Sequence, residues 1–189
     1  MRSLIHQLSL VLATTALLFS CNPAPKSFTV TYDEALGSEG FDGRLLLVIG
    51  TDEDREPRFQ INDSDQTGIV FGVDVENWMP GQPISIDPST FAYPVGSVAE
   101  IPDGEYNVQA LLHKYDTFNL STGYTVKLPM DQGEGQHWNT SPKNIYSKPV
   151  RVSCTKGAAV ALNITEEIPP IEPVADSQYI KHIKIQSAG

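Results

Sequence analysis

Cysteine is nearly absent from the 189-residue chain, which has two: Cys21 and Cys154. If Cys21 is modified, no disulfide is left to hold the fold, and a core must do so. Cys154 sits in the apolar run Val150–Cys154 and reads as a buried small hydrophobe rather than a reactive thiol. Basic residues are also scarce, with 13 Lys and Arg against 23 Asp and Glu and a formal charge of −10. That balance excludes nucleic acid as a partner and excludes electrostatic attachment to anionic lipid. Beyond the first twenty residues no apolar run is long enough to cross a bilayer, which needs about 20 residues. No window there carries the 3.6-residue periodicity of an amphipathic helix either.

What is present begins at the N-terminus. Arg2 precedes an apolar stretch, Leu4–Phe19, interrupted near its head by His6, Gln7 and Ser9. Too short and too polar to span comfortably, it fits the apolar region of an export signal occupying residues 1–20. Leu18-Phe19-Ser20-Cys21 closes it and resembles the lipobox of bacterial lipoproteins, although Phe19 is bulkier than the usual residue. The resemblance implies diacylglycerol on the Cys21 thiol, cleavage before it, and attachment to a membrane through acyl chains of the palmitate type. Each buried methylene contributes about 0.8 kcal/mol, so several chains hold firmly. Residues 21–27 then form a short tether, with Pro23 and Pro25 unable to extend a helix. Asn22 does not suggest retention at the inner membrane, which makes the outer membrane of the cell envelope the expected location.

From residue 28 the period is 2. Phe28, Val30 and Tyr32 alternate with polar neighbours, and Arg44–Ile49 is a continuous apolar run between glycines. Arg58–Ile61, Phe71–Val75, Ile84–Ile86, Tyr106–Leu112, Tyr124–Leu128, Val150–Val152 and Val160–Ile164 complete the set, separated by Gly, Pro, Asp and Asn. Many short strands with frequent turns predict an all-β fold, an antiparallel β-sandwich over residues 28–165. Two segments depart from that pattern. Pro129–Ser147 is long, polar and aromatic-bearing, the sort of loop that is usually functional or disordered. Residues 166–178 are acidic and proline-rich and predict an extended linker, after which Tyr179–Gln186 in residues 179–189 reads as one more strand. That strand either folds back on the sandwich or opens a second domain.

Several phrases resemble the N-terminal region of esterase lipoproteins of Gram-negative envelopes. They include Gly43-Arg44-Leu45-Leu46, Glu56-Pro57-Arg58-Phe59, Phe71-Gly72-Val73-Asp74-Val75 and the run Ile101–Ala110. Met130–Gly135, Asn139, Ser141-Pro142, Asn144–Ser147 and Tyr179–Ser187 continue the likeness, which covers most of residues 28–187. In that family this region is an immunoglobulin-like module that precedes an α/β-hydrolase domain bearing a serine nucleophile. The resemblance therefore implies an immunoglobulin-like form for the sandwich and a C-terminal or adjacent hydrolase domain as partner. It does not bring catalysis to this chain. The nucleophile elbow Gly-x-Ser-x-Gly does not occur, and Gly37-Ser38-Glu39-Gly40 has the wrong spacing. The expected role is a non-catalytic accessory module; the alternative is an independent carbohydrate-binding lipoprotein.

Three candidate sites follow from residue types. Asp131, Glu134 and His137 share three-residue spacing, but Pro129, Gly133 and Gly135 argue against the helix that would align them on a metal. Asp63, Asp65 and Asp74 partly match an oxygen-ligand loop for calcium, although Asp takes the place of the terminal Glu and the flanks read as strands. A polar hairpin turn explains Asp63–Gly68 equally well. Trp78, Trp138, Asn139 and Tyr146 form a possible glycan contact, since flat aromatics stack on sugar rings while amides bond to hydroxyls. Trp138 and Tyr146 also fit a plainer role, pinning the long loop to the sandwich or to a neighbouring domain. No cofactor is expected, and no modification is assigned to Asn119, Asn139 or Asn163 despite their N-x-Ser/Thr context.

Overall fold

A computed structural model describes residues 26–129, 137–172, 175–183 and 185. The expected export signal of residues 1–20, Cys21, Asp131 and Glu134 lie outside the described residues. Eleven strands fall in chain order: β1 (Ser27–Tyr32), β2 (Phe41–Gly50), β3 (Ile69–Trp78), β4 (Ile84–Ile86), β5 (Phe91–Tyr93), β6 (Gly104–Asn119), β7 (Thr125–Pro129), β8 (Ile145–Tyr146), β9 (Val150–Cys154), β10 (Ala159–Ile164) and β11 (Glu166–Glu167). They build a β-sandwich. A three-stranded sheet, β10-β1-β4, faces a larger one ordered β11-β8-β6-β2-β3-β5, with β7 and β9 also paired to β6. All pairs are antiparallel except β1 with β10, which run parallel from Ser27↔Ala159 to Tyr32↔Ile164.

The period-2 pattern explains the layers. In β1 every second residue is buried, so Phe28, Val30 and Tyr32 face inward while three threonine and serine neighbours face out. Leu45, Leu47 and Ile49 of β2 pair across to Leu112, Ala110 and Val108 of β6 and share that core with Phe71, Ile86, Leu162 and Ile164. Complete burial of each such side chain contributes about 1.5–3 kcal/mol. β2 reads as an unbroken apolar run because its second face is covered too. Val48 is fully buried on the outer side, where the 3-10 turn Pro57–Phe59 packs over β2 and β6.

β6 is the axis of the molecule, with 16 residues. At about 3.4 Å per residue it runs roughly 54 Å. Along it β9 pairs with Gly104–Val108, β2 with Asn107–Lys114, β8 with Leu111–Leu112 and β7 with Tyr115–Asn119. One pole carries Gly104 and the buried Lys26, whose ammonium donates to the Ile101 carbonyl at 2.5 Å and pairs with Asp103 at 2.7 Å. The other pole carries the β6–β7 hairpin.

Several expectations change. Arg58–Ile61 is not a strand, because Pro57 presets the φ of a 3-10 turn and Gln60 closes it. The tether ends sooner, since Lys26 is buried and Ser27 opens β1. The sandwich extends past residue 165 to Ile168: β11 pairs with β8, the Ile168 amide donates to the Asn144 carbonyl, and the Lys143 amide donates to Ile168. Among the described residues of Tyr179–Gln186 there is no strand; the Asp176 carboxylate accepts from the His182 amide and pairs with Lys181, which folds that stretch into a local turn. Cys154 is buried as its sequence setting predicts.

Candidate functional site

The outer face of the large sheet holds the most organised polar cluster. Gln109 lies in the apolar run Val108–Leu112 yet alternates away from the core, beneath the Pro57–Phe59 turn, and is wholly buried. Its carbonyl accepts from the Arg58 amide at 3.1 Å, and its amide nitrogen donates to Glu56 Oε2 and to the Ser147 carbonyl, both at 2.9 Å. Ser147 completes the knot: its Oγ accepts from the Ala110 amide at 3.0 Å, and its own amide donates to the Ala110 carbonyl. A buried amide with every site used is inexpensive to keep and costly to disturb.

Arg58 roofs this cluster. Its guanidinium carbon stands 4.0 Å above the Tyr146 ring and 4.7 Å above Phe59, with the side chain only 12% exposed. Nε lies 2.9 Å from Glu56 Oε2, close enough for an ion pair, although its N–H is not aimed along a hydrogen bond. Asn139 reaches the Arg58 carbonyl at 3.4 Å, a long contact. The loop beyond Asn139 is held by its own turn, with the Thr140 and Ser141 amides donating to the His137 carbonyl. Asn144 then bonds the Trp138 carbonyl at 2.8 Å and accepts from the Lys114 amide at 2.9 Å.

These contacts decide among the glycan candidates. Trp78 is a core residue, 1% exposed, with its indole N–H donating to the Gln82 carbonyl and Tyr32 edge-on at 4.9 Å. It offers no stacking face to a ligand. Tyr146 has one ring face taken by Arg58. Trp138 and Asn139 are half-buried and lie in the turn that Asn144 and Arg58 pin down. The structure thus brings Trp138, Asn139 and Tyr146 into one loop cluster and separates Trp78 from it.

The calcium candidates are not brought together. Asp63 and Asp65 are exposed in a loop closed by its own Asn62, Ser64 and Thr67 side chains. Asp74 instead projects from the middle of β3 and pairs with Arg44 at 2.7 Å. Among the described residues no three His, Cys, Asp or Glu side chains lie close enough to hold a metal ion. His137 is exposed, and its would-be companions Asp131 and Glu134 fall outside the described residues.

Two openings flank the cluster. An open polar basin of about 420 Å³ at the Lys26 pole is lined by Thr51, Asp52, Arg55, Gln60 and Gln66 among others. A smaller cavity of about 200 Å³ lies between β6 and the long loop, with His113, Lys114, Ser141 and Asn144 in its wall. His113 Nε2 is buried there without a hydrogen-bond partner among the described residues. Burial pushes its pKa down, so the folded protein holds it neutral. Protonation then favours the unfolded chain, and stability should decline as pH falls below the ordinary histidine value of about 6.5. Denaturant midpoints measured from pH 7 to 5 should fall in the wild type, and His113→Leu should flatten that slope.

Comparison with known proteins adds no relative. No protein-family model, curated protein or solved structure matches this chain. The site must be judged on its own residues. Ser147 and Ser141 are its hydroxyls, and both bond to backbone: Ser147 Oγ to Ala110 and Ser141 Oγ to the His137 carbonyl. The Gln109–Arg58–Glu56–Ser147 knot that sequence reasoning missed is a clamp between loop and sheet. Its only sequence signal is Gln109, the one polar residue inside the run Val108–Leu112.

Proposed function

We propose that this chain is a lipid-anchored envelope module that does no chemistry of its own and holds a serine esterase domain, following or adjacent, at a set distance from the membrane. The observation that supports this reading is where the described chain enters and leaves the sandwich. Lys26 is fixed beside Asp103, just below the start of β6. Ile168 is fixed to Asn144, level with Leu112 and His113, and β11 runs parallel to β6 toward the far pole. Nine residues of β6 separate those levels, about 30 Å at 3.4 Å per residue. A rigid body tethered at one end and releasing its chain toward the other is a spacer. The resemblance of Ile101–Ala110 and Tyr179–Ser187 to esterase lipoproteins supplies the kind of cargo, and the immunoglobulin-like identity of the sandwich rests on the same likeness. A glycan-binding role loses Trp78 from its four contacts, and Arg58 takes one ring face of Tyr146.

Fatty-acid labelling of intact cells should mark the wild type and not Cys21→Ser, which should move to the soluble fraction. A labelled Cys21→Ser protein removes the anchor. Purified chain that hydrolyses a small aryl ester, with loss of activity on changing one serine, removes the accessory role.

A further inference from the structure

The outer face of the large sheet is covered unevenly. Cross-strand register lays Phe91, Gly72, Leu46 and Leu111 in one row from β5 to β6, and Tyr93, Val70, Val48 and Gln109 in the next. At the β6 end Leu111 and Gln109 are wholly buried, whereas at the β5 end Phe91 and Tyr93 are 70% and 51% exposed. Ala92 between them packs inward against the core, which commits both rings to the open side. They stand two residues apart on one strand, roughly 7 Å, a spacing that two sugars of one chain can span. Gly72 keeps the strip low beside them. A Cβ there would meet Arg44 Nε and Nη2 at 2.8 Å, so the guanidinium lies across the glycine, one strand from Phe91. Arg44 in turn holds Asp74 at 2.7 Å, and that carboxylate is 70% exposed.

We propose that this strip binds a neutral β-linked polysaccharide, with sugar rings stacked on Phe91 and Tyr93 and hydroxyls bonded to Arg44 and Asp74. The C–H bonds on one face of a pyranose carry partial positive charge and meet the negative face of an aromatic ring. Guanidinium and carboxylate side by side suit a pair of neighbouring hydroxyls, one accepting from Arg44 and the other donating to Asp74. A protein partner fits less well, because a charged pair lies on the strip itself and the cores of protein interfaces are depleted of charge. The formal charge of −10 and the exposed Asp74 repel an anionic polymer. An extended β-linked chain presents flat faces, which match a strip running over neighbouring strands. The strip is separate from the Trp138 cluster, since β5 and β8 stand four strand spacings apart, roughly 19 Å. Binding there needs neither the lipid anchor nor a following domain, so it goes beyond the spacer reading and does not rest on it.

Native electrophoresis of the full mature chain through gels containing mixed-linkage β-glucan, xylan or hydroxyethylcellulose tests this. At least one polymer should retard the wild type, and Phe91→Ala/Tyr93→Ala should weaken that retention about tenfold. Gly72→Val, which displaces Arg44 without entering the core, should weaken it as well. Both variants change only the outer face, so their urea midpoints should stay close to wild type. Free migration of the wild type in all three gels overturns the proposal. Retention unchanged in Phe91→Ala/Tyr93→Ala overturns it too, and its loss in Trp138→Ala would then place the sugar at the loop cluster. A doubled mass in solution that Phe91→Ala/Tyr93→Ala abolishes also overturns it, by assigning the strip to a second copy.

Discussion

Replacing Trp78 with alanine should destabilise the protein by about 4 kcal/mol, read as a large drop in the urea midpoint with little change in slope. The indole is one of the largest fully buried side chains and closes the core beside Tyr32 and Phe41. Its removal leaves a cavity in the corner where β3 meets β2. The damage also spreads to hydrogen bonding. Trp78 Nε1 donates to the Gln82 carbonyl at 2.7 Å, a bond alanine cannot make, so the indole positions the Met79–Gln82 turn. Trp78→Phe should recover roughly half of the loss, because it refills the volume without the donor. A Trp78→Ala protein that loses less than 1 kcal/mol would contradict its place in the core.

Gln109→Ala should cost about 3 kcal/mol, and the loss should be local before it is global. The substitution leaves the Arg58 amide and the Ser147 carbonyl each short of one partner under the turn, at about 1–3 kcal/mol per unsatisfied group, partly relieved by relaxation, while the 39% exposed Glu56 can turn to water. Amide exchange should accelerate across Pro57–Phe59 and His137–Ser147 at denaturant concentrations where β1 and β2 stay protected. Gln109→Leu, which preserves the bulk and not the bonds, should behave like the alanine variant. If it instead matches wild type, packing rather than hydrogen bonding holds the loop.

Both residues mark where sequence reading stops. Alternation located β1, β3, β4, β6, β7, β9 and β10, and a continuous apolar run located β2; most of them bury one face against the opposite sheet or both faces under loops, whereas Leu128 of β7 stays exposed. Alternation misplaced Trp78 for a specific reason. The alternating run Phe71–Val75 ends before Trp78, which therefore reads as a loop residue. Asn77, however, adopts a left-handed φ of 46°, and the register slips between Phe41 and Gly43, turning Trp78 into the core. The neighbouring Pro80-Gly81 then looks like the whole story of a loop. Gln109 is invisible as a site because its partners lie 38 to 53 residues away in sequence. β8 and β11 have two residues each, below any period, and β11 sits inside a stretch whose prolines signal a linker. Arg58–Ile61 has strand alternation in its letters, but Pro57 and the demand of Gln109 for an amide donor decide its shape.

The parallel pairing of β1 with β10 also sets the order in which the fold can be completed. Thr31 and Asn163 bond to each other across 132 residues of chain, so the parallel half of the small sheet cannot form until Ala159–Ile164 are present. Closing so large a loop precedes any gain from it, which makes this step slow compared with the local hairpins of β2, β3, β6 and β7. Until β10 arrives, β1 has a partner on one edge only, β4, through Phe28↔Ile86 to Val30↔Ile84. The second edge of β1 is thus the last seam of the small sheet to close.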